Sequence, residues 1–210
     1  MHPIHQLLLA TALLLLFATP TLAQDPTTQP PTPLDTLNIL TREQWQAKPP
    51  AFDMIPQTVD AITIHHTAMP QRPDRDPGQA LRNLQAFSQR EDTLANGKHK
   101  KAWADVPYHF YIHPTGTIVE ARDLNYQGDT NTNYDLQGQA QIVLEGNFEE
   151  IDPTPEQLQS LTQLVAALQQ QYDIPTTRIA THGERAPNQT LCPGKSLQAF
   201  VNQLRDQQNQ

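Results

Sequence analysis

The sequence predicts a single α/β domain in which a mixed central β-sheet is flanked by helices on both faces. Short apolar segments typical of buried strands alternate with two long segments of helical periodicity. About 170 residues follow Leu37, which is enough for one domain with one hydrophobic core. The sequence shows no internal repeat and no coiled-coil heptad pattern. Together these observations favour one compact α/β unit.

Four strands are predicted along the chain. Residues 59–65 form a buried strand through Ile62 and Ile64. Residues 108–112 and 117–121 flank Pro114-Thr115-Gly116, a turn signal that makes the two segments a hairpin. Residues 141–144 are a further short apolar strand.

Three helices are predicted to cover these strands. Residues 77–90 place Ala80, Leu81, Leu84 and Phe87 on one side of a helix. A second helix begins near Thr154, a plausible N-cap ahead of Pro155 in the first turn. Its apolar positions recur at helical spacing, at Leu158, Leu161, Leu164, Val165 and Leu168. A last helix follows Lys195.

The N-terminus predicts export. Leu7 to Phe17 form an apolar run of the length of a signal-peptide core, and the small residues of Thr21-Leu22-Ala23 fit a cleavage site. We expect a signal peptide over 1–23, with an uncleaved anchor as the alternative, and a Pro/Thr/Gln-rich disordered linker over 24–36. The folded domain is then 37–207. The protein would be periplasmic or secreted, with no membrane span after cleavage.

The chain carries a formal net charge of -8, all of it beyond residue 24. A surface of this sign is repelled by nucleic acid and by anionic lipid heads. Binding to DNA or RNA is therefore not expected, whereas uncharged or zwitterionic substrates are compatible with the charge.

Three residues far apart in the sequence suit a metal ion. His65 directly follows an apolar strand, His182 lies in Ala180-Thr181-His182-Gly183-Glu184, and Cys192 begins a Cys-Pro-Gly turn. Cys192 is the only cysteine, so it cannot form an intramolecular disulfide. Two imidazoles and one thiolate with an open fourth position are typical of catalytic zinc. A metal-assisted hydrolase is the leading interpretation, although sequence spacing cannot show that the three residues meet.

Other histidines have simpler explanations. His66 points to the other face of the strand from His65. His109 lies between aromatic residues and is expected to be packed or to support the site, and His99 lies in a lysine-rich run expected at the surface.

Six motifs occur in a definite order along the chain: 41–47 (TREQWQA), 62–68 (ITIHHTA), 105–112 (DVPYHFYI), 116–122 (GTIVEAR), 144–148 (LEGNF) and 182–194 (HGERAPNQTLCPG). This series resembles one known family, the zinc-dependent N-acetylmuramoyl-L-alanine amidases, which include peptidoglycan recognition proteins and phage amidase lysozymes. The resemblance covers nearly all of 37–205 and implies the fold of peptidoglycan recognition proteins.

The resemblance also implies roles for particular residues. His65, His182 and Cys192 match the family's zinc ligands. Tyr108 matches a tyrosine beside the zinc-bound water, and Thr190 matches a position that is Lys or Thr in the family. We therefore expect Tyr108 and Thr190 to be catalytic. Glu145 does not fall on the catalytic glutamate of the cytoplasmic anhydro-muropeptide amidases, because Val143 occupies that position.

Two departures from the family pattern concern the substrate. Family members often carry a histidine shortly after the glycine that matches Gly128, where this chain has Asp129-Thr130-Asn131. The loop 185–191 is longer than in recognition proteins and resembles that of the anhydro-muropeptide branch. The chain thus mixes features of two branches.

These observations predict hydrolysis of the amide bond between N-acetylmuramic acid and L-Ala in peptidoglycan or muropeptides, by a monomeric enzyme. Zinc in such a site lowers the pKa of a bound water to roughly 7 and polarises an amide carbonyl. Two alternatives remain open. A recognition module would bind peptidoglycan without cutting it, and a zinc peptidase would cut within the stem peptide.

Overall fold

The computed structural model describes residues 31–93 and 97–208, and the predicted signal peptide lies outside them. The strands are β1 (Ile39–Leu40), β2 (Ala61–His66), β3 (Asp92–Thr93), β4 (His99–Lys100), β5 (Phe110–Ile112), β6 (Ile118–Glu120), β7 (Gln139–Leu144) and β8 (Ile179–Thr181). The helices are α1 (Pro77–Ser88), α2 (Pro155–Tyr172), α3 (His182–Arg185) and α4 (Lys195–Gln208). Six of these strands form one sheet, and β3 and β4 pair separately.

The main sheet is mixed, as the sequence predicts. Its strand order is β1-β6-β5-β7-β2-β8. The hairpin partners β5 and β6 are antiparallel, whereas the other pairs within this sheet are parallel. In the centre, Ile64 of β2 lies opposite Ile142 of β7 on one side and Thr181 of β8 on the other. The carboxyl ends of β2, β7 and β8 therefore meet at one edge.

The two faces of the sheet are covered by different helices, which confirms the α/β architecture. Ile62, Ile64 and Ile142 pack with residues of α2 and α4 in the larger apolar core. Val143, whose side chain alternates to the opposite face, packs with Leu81 of α1 in a smaller core.

The helix starts follow from local chemistry. Thr154 caps α2, since its side chain accepts a hydrogen bond from the Gln157 N–H, and the Gln157 side chain accepts one from the Thr154 N–H. Asp76 caps α1 ahead of Pro77 and accepts from the Gln79 N–H. Helix α1 ends at Ser88, two residues before the predicted end.

The domain begins earlier than residue 37. Within the predicted linker, 24–30 lie outside the described residues, whereas Leu34–Thr36 form a 3₁₀ turn. Leu34 packs against the larger core, and its backbone N–H donates to Gln171 of α2. Leu34 thus belongs to the folded unit. No helix within 31–93 or 97–208 has the length and apolar character needed to cross a membrane.

Candidate metal centre

His65 is the fifth residue of β2 and is 2% exposed. It lies opposite Val143 of β7, on the face of the sheet that α1 partly covers. Because β2 is a buried central strand with neighbours on both sides, the position of this imidazole is fixed by the sheet.

Strand pairing brings His182 next to His65. Strand β8 runs parallel to β2 with Thr181 opposite Ile64, so the next residue, His182, lies beside His65. Thr181 and Glu184 form a capping box that starts α3 at His182. The His65 and His182 ring centroids are 4.7 Å apart.

Cys192 lies in the loop after α3 and is 8% exposed. Its carbonyl accepts a hydrogen bond from the Gly183 N–H at 2.7 Å, and its N–H donates to the Thr190 hydroxyl oxygen at 3.0 Å. A side chain at Gly183 would clash with this carbonyl, since a Cβ there would lie 2.9 Å from it. The thiol Sγ lies 3.3 Å from the His66 backbone N and 3.7 Å from His65 Nδ1.

Donor atoms of the three residues lie within 4.8 Å of one another. Zn–S and Zn–N bonds of the usual length place sulfur and nitrogen about 3.6 Å apart in a tetrahedral site. The 3.7 Å between Sγ and His65 Nδ1 matches this spacing. Two histidines and a cysteine are also a ligand set typical of zinc. The residues therefore fit a zinc ion.

The protonation of the three groups is set mainly by burial. Burial, reinforced by the neighbouring His182, lowers the pKa of His65 well below its usual value. Burial lowers the pKa of His182 to about 4. Both imidazoles are thus neutral near pH 7, as metal ligands must be. Burial raises the pKa of the Cys192 thiol to about 12, so binding of a cation requires the thiol to release its proton.

Tyr108 lies beside this cluster. Its ring centroid is 5.1 Å from that of His65, and the two rings are inclined at 56°. Burial raises the pKa of the phenol well above 10, so the group stays protonated and able to donate. Thr190 lies two residues before Cys192, and its hydroxyl oxygen accepts from the Cys192 N–H, which leaves its own proton free to donate elsewhere.

The remaining candidates lie as the sequence suggests. His66 faces away from the cluster, with its ring centroid 6.1 Å from that of Phe148, and its Nδ1 accepts from the Phe148 N–H. His99 is exposed. His109 is fully buried, with its Nδ1 accepting from the Gln141 N–H at 2.8 Å and its Nε2 2.9 Å from the Tyr126 carbonyl.

Glu145 has a structural environment of its own. It is 1% exposed, accepts hydrogen bonds from the Tyr111 phenol and the Arg72 N–H, and forms an ion pair with Arg75 at 2.9 Å. These contacts tie the chain after β2 to the end of β7. The Glu145 carboxylate therefore belongs to this network of contacts.

Sequence reasoning missed two residues next to the cluster. The Thr132 hydroxyl lies 2.6 Å from His182 Nε2, and the Tyr134 ring centroid lies 5.4 Å from that of His182. The Tyr134 phenol donates to the buried Gln141 amide oxygen at 3.1 Å. Thr132 and Tyr134 follow the Asp129-Thr130-Asn131 departure, which was the one sequence signal that pointed to this loop.

Comparisons with known proteins agree with the fold. The family model described as N-acetylmuramoyl-L-alanine amidase matches residues 56–195, about two thirds of the chain. No curated protein sequence matches the chain significantly.

Several solved structures share the fold. Peptidoglycan recognition protein SD of Drosophila is 27% identical, with 79% of this chain and 93% of that chain covered and a TM-score of 0.65. Peptidoglycan recognition protein-LE, in complex with tracheal cytotoxin (monomeric diaminopimelic acid-type peptidoglycan), is 25% identical over 79% and 92%, with a TM-score of 0.64. The endolysin amidase LysCS of Clostridium intestinale URNW is 25% identical over 79% and 94%, with a TM-score of 0.59.

Proposed function

We propose that this chain, which belongs to the N-acetylmuramoyl-L-alanine amidase family, hydrolyses the amide bond between N-acetylmuramoyl and L-alanine in peptidoglycan with zinc as cofactor. The observation that carries the proposal is the convergence of His65, His182 and Cys192 beside the Tyr108 ring. A set of three ligands leaves a fourth position on the ion for water or substrate, as in catalytic zinc sites.

The comparisons support peptidoglycan as the substrate class. One similar structure holds a monomeric peptidoglycan fragment, and another is an amidase. Peptidoglycan lies outside the cytoplasm, so export by the predicted signal peptide over 1–23 is part of the proposal. A lone buried thiol without a disulfide partner is then explained as a metal ligand.

The residues of the chain have distinct parts in the reaction. Bound zinc supplies an activated water and a Lewis acid for the amide carbonyl. His65, His182 and Cys192 would hold the ion at the end of β2. The protonated Tyr108 phenol orients the attacking water or donates to the carbonyl oxygen as negative charge develops there, a contact worth about 3 kcal/mol in comparable sites. The Thr190 hydroxyl is a weaker, uncharged donor for the same charge.

Product analysis tests the proposal. Purified peptidoglycan is digested with the zinc-loaded protein, new amino groups and new reducing ends are labelled separately, and fragments are identified by mass. The expected products are stem peptides with a new N-terminal alanine and an intact glycan. A zinc-free preparation is the control.

Other products would replace the proposal with a specific alternative. Cleavage after L-Ala would make the protein a zinc peptidase. Tight binding of peptidoglycan without any product would make it a recognition module, and new reducing ends would make it a glycosidase.

A further inference from the structure

We propose that Thr132 is a positioning residue of the metal centre, because its hydroxyl oxygen accepts the Nε2–H of His182 and so leaves Nδ1 of that ring for the metal. This inference rests on the zinc site of the proposed function. The proposal gives a function to the loop after Gly128, where the sequence departs from the family pattern.

The contact is short, and a second threonine hydroxyl lies beside it. Thr132 Oγ1 lies 2.6 Å from His182 Nε2 and 2.9 Å from Thr130 Oγ1. Thr130 Oγ1 already accepts the Thr132 backbone N–H at 3.2 Å. The Thr130 oxygen lies within reach of the Thr132 hydroxyl proton. With that proton donated to Thr130, the Thr132 oxygen presents its lone pairs to His182 Nε2, which is the arrangement that the proposal requires.

The hydroxyl is held in place relative to the ring. The Asn133 N–H donates to the Gln189 side chain at 2.8 Å, and the Gln189 amide donates back to the Asn133 carbonyl at 3.3 Å. These bonds tie the Thr132 loop to the loop between His182 and Cys192. The Tyr134 and His65 rings flank the His182 ring at centroid distances of 5.4 Å and 4.7 Å.

The chemistry of imidazole makes this contact decisive. A neutral imidazole has a lone pair for a metal on one nitrogen and a proton on the other. The hydrogen-bond partner of the N–H determines which of the two nitrogens carries the proton. With Nε2–H bonded to Thr132, Nδ1 is the nitrogen of His182 that is left to bind a metal. In His65 the nitrogen nearest Cys192 Sγ is also Nδ1, at 3.7 Å.

The test compares two substitutions at one position. Thr132→Val keeps the shape of the side chain and removes the hydroxyl, whereas Thr132→Ser keeps the hydroxyl. Zinc affinity is measured by competition with a chelator. We expect Thr132→Val to bind zinc about 10- to 100-fold more weakly and Thr132→Ser to recover most of the affinity.

A control separates this effect from the loss of any threonine hydroxyl. Thr162→Val on α2 removes an exposed hydroxyl that donates to the Leu158 carbonyl at 2.9 Å and should leave zinc affinity unchanged. Thermal unfolding of the metal-free variants reports whether each folds. Thr132→Val with wild-type zinc affinity would overturn the inference.

A second measurement needs no variant. Long-range ¹H–¹⁵N spectra of the zinc-loaded wild type should show the His182 proton on Nε2, and a proton on Nδ1 would overturn the inference. Wild-type protein that binds zinc in this way but yields no amide product would overturn the proposed function alone. Wild-type protein that binds no zinc would overturn both.

Discussion

The two faces of the central sheet bury side chains of different kinds, although the same strands contribute to both faces. On the face under α2 and α4, β2 contributes Ile62 and Ile64 to the larger apolar core. On the other face, the same strand contributes Thr63 and His65, which are also buried. Strand alternation thus lets one strand supply apolar side chains to the larger core on one side and His65 to the proposed zinc site on the other.

The difference has an energetic consequence. Apolar side chains stabilise by leaving water, with no need for a specific partner. Buried polar groups stabilise only when they are hydrogen-bonded, so Thr63 donates to the Gln139 side chain at 2.7 Å, and His109 Nδ1 accepts from the Gln141 N–H. The face under α2 and α4, called the apolar face, should therefore contribute most of the stability. The opposite face, called the polar face although it also holds the smaller apolar core, should determine chemistry and its dependence on metal and pH.

The largest effect is expected on the polar face at Cys192. Cys192→Ser replaces a thiolate ligand by a hydroxyl that stays protonated, so zinc retention should fall sharply and hydrolysis should drop by more than about a thousandfold. Metal analysis after dialysis and the peptidoglycan digest measure the two effects. Cys192→Asp, which offers a carboxylate oxygen to the ion, should retain more metal than the serine variant. Full activity in metal-free Cys192→Ser would refute the zinc site.

The sequence predicts the apolar face well, because its signal is local. Residues of α2 repeat with helical spacing within one segment, and the cap at Thr154 is formed by neighbours. The strands β1, β3 and β4 have two residues each and give no such signal, since they depend on partners elsewhere in the chain. Phe87, expected on the inner side of α1, is only partly buried, and its ring centroid lies 5.0 Å from the Lys100 ammonium.

The metal centre was predictable only in part. The residue types and the motif order indicate His65, His182 and Cys192, but their meeting depends on the pairing of β8 with β2 across more than a hundred residues. The departure from the family pattern after Gly128 points to the loop but not to Thr132 itself, because a threonine in a polar loop is ordinary until the fold brings it to His182. Lys100 shows the reverse case, since a lysine in a basic run is fully buried and donates to three backbone carbonyls.

The next largest effect tests the apolar face alone. Leu164 is fully buried in the larger core, so Leu164→Ala should lower the free energy of unfolding by about 2 to 5 kcal/mol. Denaturant unfolding measures this loss. Zinc content and kcat per folded molecule should not change, and Leu158→Ala, at a partly buried position on the same helix, should cost less. A large fall in kcat for folded Leu164→Ala would show that the two faces are not separable.

A substitution at Tyr108 tests the proposed reaction without changing a metal ligand. Tyr108→Phe should keep fold and zinc while kcat falls by roughly tenfold to a thousandfold, with a modest change in KM, because the phenol acts on developing charge. Steady-state kinetics on a soluble muropeptide separate kcat from KM. Tyr172→Phe, at a tyrosine packed against the larger core, is the matched control. An unchanged kcat in Tyr108→Phe would move the donor role to Thr190.

The smallest effect concerns pH and the polar face. Burial lowers the pKa of His109 to about 4, below the value of about 6.5 expected in the unfolded chain. The folded state therefore binds fewer protons, so His109 contributes full stability above about pH 6.5, and this contribution is lost as pH falls toward about 4. Between pH 7 and pH 5 the loss from this one group should be about 2 kcal/mol.

Denaturant unfolding of the metal-free protein at the two pH values measures this loss. His109→Gln should lose about 2 kcal/mol less than the wild type over the same interval, whatever its stability at pH 7. His99→Gln removes an exposed histidine instead and serves as the control. The quantity to compare is the change in the free energy of unfolding between the two pH values. Its absolute value at one pH is not comparable, because His109→Gln also disturbs the bonds to Gln141 and Tyr126. Equal losses in wild type and His109→Gln would mean that the buried imidazole does not make the polar face sensitive to acid.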